Sequence, residues 1–326
     1  MNYKLFRREF LKLIGSAPLL APLAAAFPGC IPAPAGPPRT VALVKHNDDA
    51  SALRQAVELA GGLDFLAPGD SVLLKIALNS CNSFPATTSP ETITHLIGLL
   101  KEKGAGDIYV GDKSPTWQDT RACLKETGIA DAVDAAGAEL AVFEDDDMVP
   151  VQPADARFWP KGFSMPGIFN TVNHIIVLPT LRTHALADFT MGIKIMVGAI
   201  PQKDRFRMHS SAAFLQAIAE IMLCTDKLRL SVLDARQGFN RDGPDDGNLI
   251  TPNIMIASHD IVAADIVGVA LLQTTDTTPK LKKTSVWHHP TIRHGIRVKS
   301  PGLGTSTLNI AAEGTDIIEE IQNKLI

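Results

Sequence analysis

The chain has 326 residues, 45% of them hydrophobic and 20% charged, with a formal net charge of −4. That length buries one large core or two smaller ones. The acidic balance excludes nucleic acid as the main partner, because no broad basic surface is implied.

The first element is a targeting segment. Phe6-Arg7-Arg8-Glu9-Phe10-Leu11-Lys12 precedes a modest apolar stretch that ends in Ala24-Ala25-Ala26. Paired arginines before a short apolar run and a small-residue cleavage site are similar to a twin-arginine export signal. Residues 1–26 are therefore expected to be a signal peptide, with the twin-arginine translocation machinery as partner and a periplasmic or other extracytoplasmic destination. The apolar run contains Pro18 and Pro22 and falls short of the ~20 residues that span a bilayer, so no transmembrane anchor is expected in the mature chain. Residues 27–39 are a proline-rich linker. Cys30 lies in it, and Phe27-Pro28-Gly29 matches a lipidation site poorly.

From residue 40 strand and helix patterns alternate. Thr40–Val44 reads as a strand and Ala50–Ala60 as a helix ended by Gly61-Gly62. Ser71–Leu78 is a near-continuous apolar run of the kind buried on both faces of a parallel sheet. After a polar loop, Ser89 as N-cap and Pro90 at the first helical position open a helix through Lys103. Asp107–Gly111 and Glu139–Phe143 are further strands, with short helices from Trp117 to Ala136 between them. Glu144 to Asp147 reads as a solvated acidic turn, and Pro150–Asn170 as an irregular or hairpin excursion.

His174–Leu178 reads as an interior strand, Ser210–Cys224 as one periodic helix, and Arg229–Asp234 and Asn253–Ala257 as strands. Asp260 caps an apolar helix to Leu272, and a strand, Thr307–Ala311, and a helix from Asp316 close the chain. This alternation predicts an α/β fold, a mostly parallel sheet flanked by helices, in one large domain over residues 40–326 with an irregular insertion.

Ligands of open α/β sheets bind beyond the carboxyl ends of the strands. Four strands here end in polar residues: Asn79 and Cys81, Asp112 and Lys113, Thr180 with Arg182 and His184, and Asp234 with Arg236. His184 suits acid–base work or metal ligation, or is a histidine bonded to a loop carbonyl. Lys194, between Gly192 and Gly198 in an apolar setting, is a base or nucleophile, or the partner of Asp188 or Asp234. Arg182, Asn79, Arg205 and Arg207 are candidates for binding a small anionic ligand, and His209 and Asp234 for a metal.

Cys81, Cys123 and Cys224 are three widely spaced thiols with no C-x-x-C pair. They predict no disulfide framework and no iron–sulfur cluster, and Cys81 is read as a buried, inert thiol rather than a thiolate. His288, His289 and His294 are read as solvated rather than as metal ligands, and the Gly238–Gly247 loop as a tight turn near the site.

With these residues in hand, the chain resembles the domain-of-unknown-function 362 family from about Val72 to Gly304. The matching residues include Lys75 with Asn79, Thr88-Ser89-Pro90-Glu91 and Val110-Gly111-Asp112. They continue through Leu178–His184, Thr190–Lys194 and Gly198 to Asp234, Gly243-Pro244 and Ala257–Asp260. Where the family usually has lysine, this chain has Thr180 and Arg182. Many members carry a ferredoxin-like cluster domain, for which this chain has no counterpart.

A more distant similarity, to nickel-pincer lactate racemases, rests on the order of His184, Lys194 and His209. It implies a catalytic histidine, a cofactor-carrying lysine and a metal-ligating histidine. Two functions stay open. One is a metal- or cofactor-dependent enzyme doing isomerase- or racemase-like acid–base chemistry on a small anion through His184 and Lys194. The other is a non-catalytic extracytoplasmic protein that binds a cofactor, metal or anion.

Overall fold

The computed structural model describes residues 38–326. The Arg7-Arg8 segment, expected to be a signal, and almost all of the proline-rich linker fall outside that range. Thirteen strands follow in chain order: β1 (Arg39–Val44), β2 (Val72–Ile76), β3 (Ile108–Asp112), β4 (Glu139–Val142), β5 (Met148–Val151), β6 (Phe163–Pro166) and β7 (His174–Leu178). The rest are β8 (Thr180–His184), β9 (Asp188–Phe189), β10 (Leu228–Arg241), β11 (Asn248–Ile250), β12 (Ile254–Ser258) and β13 (Leu308–Glu313).

Eleven of them share one sheet, whose main path runs β13-β1-β12-β10-β7-β2-β3-β4. The pairs β10–β7, β7–β2, β2–β3 and β3–β4 are all parallel, whereas β12 runs antiparallel to both β1 and β10. The fold is thus α/β with a mostly parallel mixed sheet. β5 and β6 pair antiparallel in a separate two-stranded sheet, which resolves the expected excursion as a hairpin.

Helices cover both faces, so the central strands need apolar side chains on both sides of the pleat. Alternate residues do divide this way. Leu73, Ile175 and Val177 join the core that holds Ile193 and the Ile261–Thr274 helix, while Val72, Leu74, Ile76, Ile176 and Leu178 join the core under the Pro90–Glu102 helix. All five residues of β7 are buried, as an interior strand requires.

Local signals set the helix starts. Ser89 accepts from the Thr92 amide with Pro90 at the first position, and Asp260 accepts from Val262 and Ala263. Each cap occupies backbone N–H groups that otherwise lack a partner.

Three expectations about the elements and the cysteines need correction. The Ser210–Cys224 helix is broken, because the helix begins earlier, at Gln202 after Pro201, and ends at His209. A turn follows in which Ser211 Oγ accepts the Ala213 amide, before a second helix over Phe214–Glu220 and a 3-10 turn. Serine side chains compete for backbone donors and favour such breaks. β10 runs to Arg241 rather than Asp234, because shifts of register let its far end pair with β8 and β11. Finally, Cys81 and Cys123 form a disulfide, although 42 residues separate them. The loop after β2 and the Thr120–Glu126 helix meet only in three dimensions, so spacing alone does not show the pair.

His289 and His294 are not solvated either. His289 Nε2 lies 3.1 Å from Asp188, and His294 Nε2 lies 2.9 Å from the buried Glu220. Among the described residues no helix is long and apolar enough to cross a membrane.

Candidate active site

The parallel strands β2, β3 and β7 end at one edge of the sheet, and a cavity of about 170 Å³ opens there. Its wall includes Asn79 beyond β2, Asp112 and Lys113 at the end of β3, and Arg182 and His184 on β8. Lys194, Arg205 and His209 come from the short helices that follow, and Asp245 from the loop after β10.

A charged pair lies beneath the cavity. Lys75 occupies a core-facing position of β2 with no exposure, and its amine donates 2.8 Å to Asp112 Oδ1 and 2.7 Å to the Ile76 carbonyl. Asp112 also accepts from the amides of Leu78 and Lys113, at 2.8 and 2.7 Å. A buried carboxylate with an ammonium and two amide partners is satisfied in a medium where either charge alone is costly.

Lys194 sits on the Gly192–Ile195 helical turn and faces the cavity. Asp265, on the buried face of the Ile261–Thr274 helix, holds that turn by accepting from the Gly192 and Ile193 amides at 2.7 and 2.8 Å. Burial pushes the Asp265 carboxyl up to about 7, against the lowering effect of those two amides.

Neither expected partner reaches the lysine. Asp188 pairs with Lys280 and His289, and Asp234 with Arg236. Among the described residues no carboxylate lies within ion-pair distance of the Lys194 amine. Desolvation first, then the Arg182 and Arg205 charges, bring it down to about 7, with Asp245 opposing. Both protonation states are therefore populated near neutrality.

The two histidines carry opposite tautomers. His184 Nδ1 lies 3.1 and 3.2 Å from the amides of Leu186 and Ala187, which can only donate, so its proton resides on Nε2. His209 Nδ1 lies 2.7 Å from the Arg205 carbonyl, which can only accept, so Nδ1 donates and Nε2 is the basic nitrogen. Desolvation and then the Lys194 charge lower His209 to about 4, leaving it neutral.

The arginines divide by task. Arg182 is buried, and one of its terminal nitrogens donates to Asn79 at 2.8 Å, to the Pro244 carbonyl at 3.1 Å and to the Ala86 carbonyl. Its Nε has no acceptor among the described residues. Desolvation brings the guanidinium to about 10, so it stays charged. Arg205 serves mainly as a strut, donating to the carbonyls of Gly198, Ile200, Lys113 and Ser114. Its charge still faces the cavity, where among the described residues no carboxylate forms an ion pair with it.

Two expected members lie elsewhere. Arg207 stacks on Trp159, 4.9 Å from the ring centre, and donates to the Gly162 carbonyl, so it belongs to the β5–β6 hairpin. Asp234 is fully buried between Arg236 and Thr92, tying β10 to the Pro90–Glu102 helix outside the cavity. A strand end alone does not say towards which face a carboxylate turns. Asp112 and Lys113, expected at a strand end but without an assigned role, line the cavity, and Asp245, which the sequence does not single out, joins them from the loop after β10.

Among the described residues no group of three or more His, Cys, Asp or Glu side chains is placed to hold a metal ion. His209 has lost its proposed partner Asp234, and it is flanked by Lys194 and Arg205. This donor set suits an anion better than a cation.

A protein described as thylakoid-associated, from Synechocystis sp., is 28% identical over 235 residues, covering 70% of this chain and 71% of that one. The lactate racemase apoprotein of Thermoanaerobacterium thermosaccharolyticum is 14% identical with a TM-score of 0.45. The match covers 67% of this chain and about half of that chain, 53%. The family model described as a domain of unknown function, DUF362, matches residues 72–270. That is more than half of the chain, and it takes in β2, β7, Lys194 and most of the helix capped by Asp260: this protein belongs to the DUF362 family.

Proposed function

We propose that this is an exported enzyme that binds a small organic anion at the sheet edge and moves a proton on it. The observation that carries the reading is Lys194, an amine facing a cavity beside two arginines with no carboxylate paired to it among the described residues. Desolvation and then the cationic neighbours keep part of the amine neutral at physiological pH, and the same charges attract a carboxylate or phosphate.

In this reading Arg182 holds the anionic group and Asn79 fixes the guanidinium. Neutral Lys194 accepts a proton from the carbon next to that group. His184 Nε2–H donates a hydrogen bond to the oxygen on which charge develops, and His209 Nε2 accepts a proton in exchange. Such a set supports isomerisation or racemisation, in which a proton leaves and returns.

Export is supported by the Arg7-Arg8 segment and by the Cys81–Cys123 disulfide, since disulfides persist in oxidising compartments. Replacing both arginines by lysine and fractionating cells tests export, and undiminished export would refute it.

The chemistry is tested in deuterated buffer with a panel of small hydroxy, amino and oxo carboxylates, followed by proton NMR. Exchange at the carbon beside the carboxylate or, for oxo acids, beside the carbonyl, lost in a folded Lys194→Met variant, is the expected result. If no member of the panel exchanges and none raises the melting temperature, the reading falls.

A further inference from the structure

We infer that the anion taken by this cavity is an oxo acid, and that Lys194 binds it covalently by forming an imine with the carbonyl carbon. The inference rests on the anion-binding reading above and names its substrate class.

Three observations lead to it. The amine stands in a wall otherwise made largely of apolar side chains, among them Leu186, Met191, Ile195 and Val197. Its stronger charged neighbours are Arg182 and Arg205, with Asp245 opposing them, and a lysine placed in an apolar pocket beside another cation is the arrangement that makes an amine nucleophilic. Lastly, Arg182 offers a buried Nε–H with no acceptor among the described residues. A buried donor left in that state is costly and fits a ligand carboxylate.

The step balances without any redox partner. The neutral amine adds to the carbonyl carbon while His184 Nε2–H donates a hydrogen bond to the carbonyl oxygen. His209 Nε2 takes a proton from the nitrogen and returns it to that oxygen. Both amine protons leave with the oxygen as one water molecule, and a carbon–nitrogen double bond remains. The imine draws electrons from the carbon on its side away from the carboxylate, so the bond to hydrogen there weakens; with the Lys194 nitrogen held in the imine, His209 Nε2 rather than the lysine takes that proton.

The lowered proton affinity of Lys194 makes the neutral amine at pH 7 on the order of a thousandfold more abundant than for an ordinary lysine. The experiment uses the mature protein incubated with pyruvate as probe and cyanoborohydride as trap, read by intact mass and peptide mapping. One adduct on the peptide holding Lys194 is expected, formed at least ~10 times faster than on surface lysines. Lys194→Met and Lys194→Arg are expected to abolish it.

Labelling spread over surface lysines, or unchanged by either variant, would overturn the inference. If a variant does not fold, the wild-type pH profile decides. Trapping at Lys194 should rise through pH ~7 rather than ~10, and a rise only near 10 overturns it. If exchange in deuterated buffer occurs with no adduct, the imine is wrong and the acid–base reading stands. If oxo acids give neither exchange, adduct nor thermal shift, both fall.

Discussion

The Lys75 amine and the Asp112 carboxylate meet at 2.8 Å directly under the cavity, where their side chains are 0% and 5% exposed. Lys75→Met removes one charge of this pair and leaves the other in an apolar setting. A loss of roughly 3–5 kcal/mol is expected by denaturant unfolding, because the orphaned carboxylate has little water to turn to. The double variant Lys75→Met with Asp112→Asn should recover part of that loss, which a simple packing defect would not.

Gly198 touches the same pair. A Cβ there would press into Asp112 Oδ1 and come within 2.9 Å of Lys75 Nζ. Gly198→Ala should cost about 1–3 kcal/mol by overpacking. It should also disturb Arg205, which donates to the Gly198 carbonyl, so weaker anion binding in a thermal-shift titration is the second readout.

The Cys81–Cys123 bond closes 42 residues and ties the loop carrying Asn79 to the Thr120–Glu126 helix, which follows the lining residue Trp117. Non-reducing peptide mapping should find this pair. Cys224, whose thiol burial pushes up to about 12, should resist alkylation in the native protein. Cys123→Ala with Cys81→Ala is expected to lower stability by roughly 2–4 kcal/mol.

Lys194 predicts one pH dependence. Its proton is held less tightly in the folded chain, at about 7, than at the ordinary 10.5 of the unfolded chain. Between those values the unfolded state binds more protons, so stability should rise with pH from about 7 to 10.5. Lys194→Met should flatten that rise and be the more stable protein at pH 7. Urea midpoints taken across pH 7–10 decide it, and a wild-type slope equal to the variant's would refute the assignment.

Asp265 predicts the opposite slope. Its carboxyl is raised to about 7 from 3.8, so the folded state keeps a proton that the unfolded state has released. Its contribution is full below pH ~4 and is lost as pH rises to about 7. His209, lowered to about 4 from 6.5, acts the other way over nearly the same range, so the wild-type curve alone does not separate them. The difference between wild type and Asp265→Asn does, and it should decline steadily from pH 4 to 7.

Local chemistry made much of the fold readable. The apolar runs at β2 and β7, Ser89-Pro90 and Asp260 each act within a few residues, and the structure places them as expected. What lay beyond the sequence was decided between distant segments. Asp234 and Asp112 both end strands, yet one turns to Arg236 and the Pro90–Glu102 helix while the other faces the cavity. The cysteine pair and the division of work among the three arginines depend likewise on neighbours roughly 40 to 100 positions away. His184, Lys194 and His209 lie close in the chain, and the structure brings all three to one cavity.

The place of β1 constrains how the polypeptide can be made. Both of its sheet neighbours, β12 and β13, are translated after residue 253, so β1 waits without a hydrogen-bonding partner through most of synthesis. A nascent chain stalled before Ile254 would expose the edge of β10 as well, since β12 bridges the two. Such open edges recruit other chains, and long-range pairing is slow to form. Biogenesis therefore favours completion before release, and shortened translation products should collect in the insoluble fraction or on chaperones.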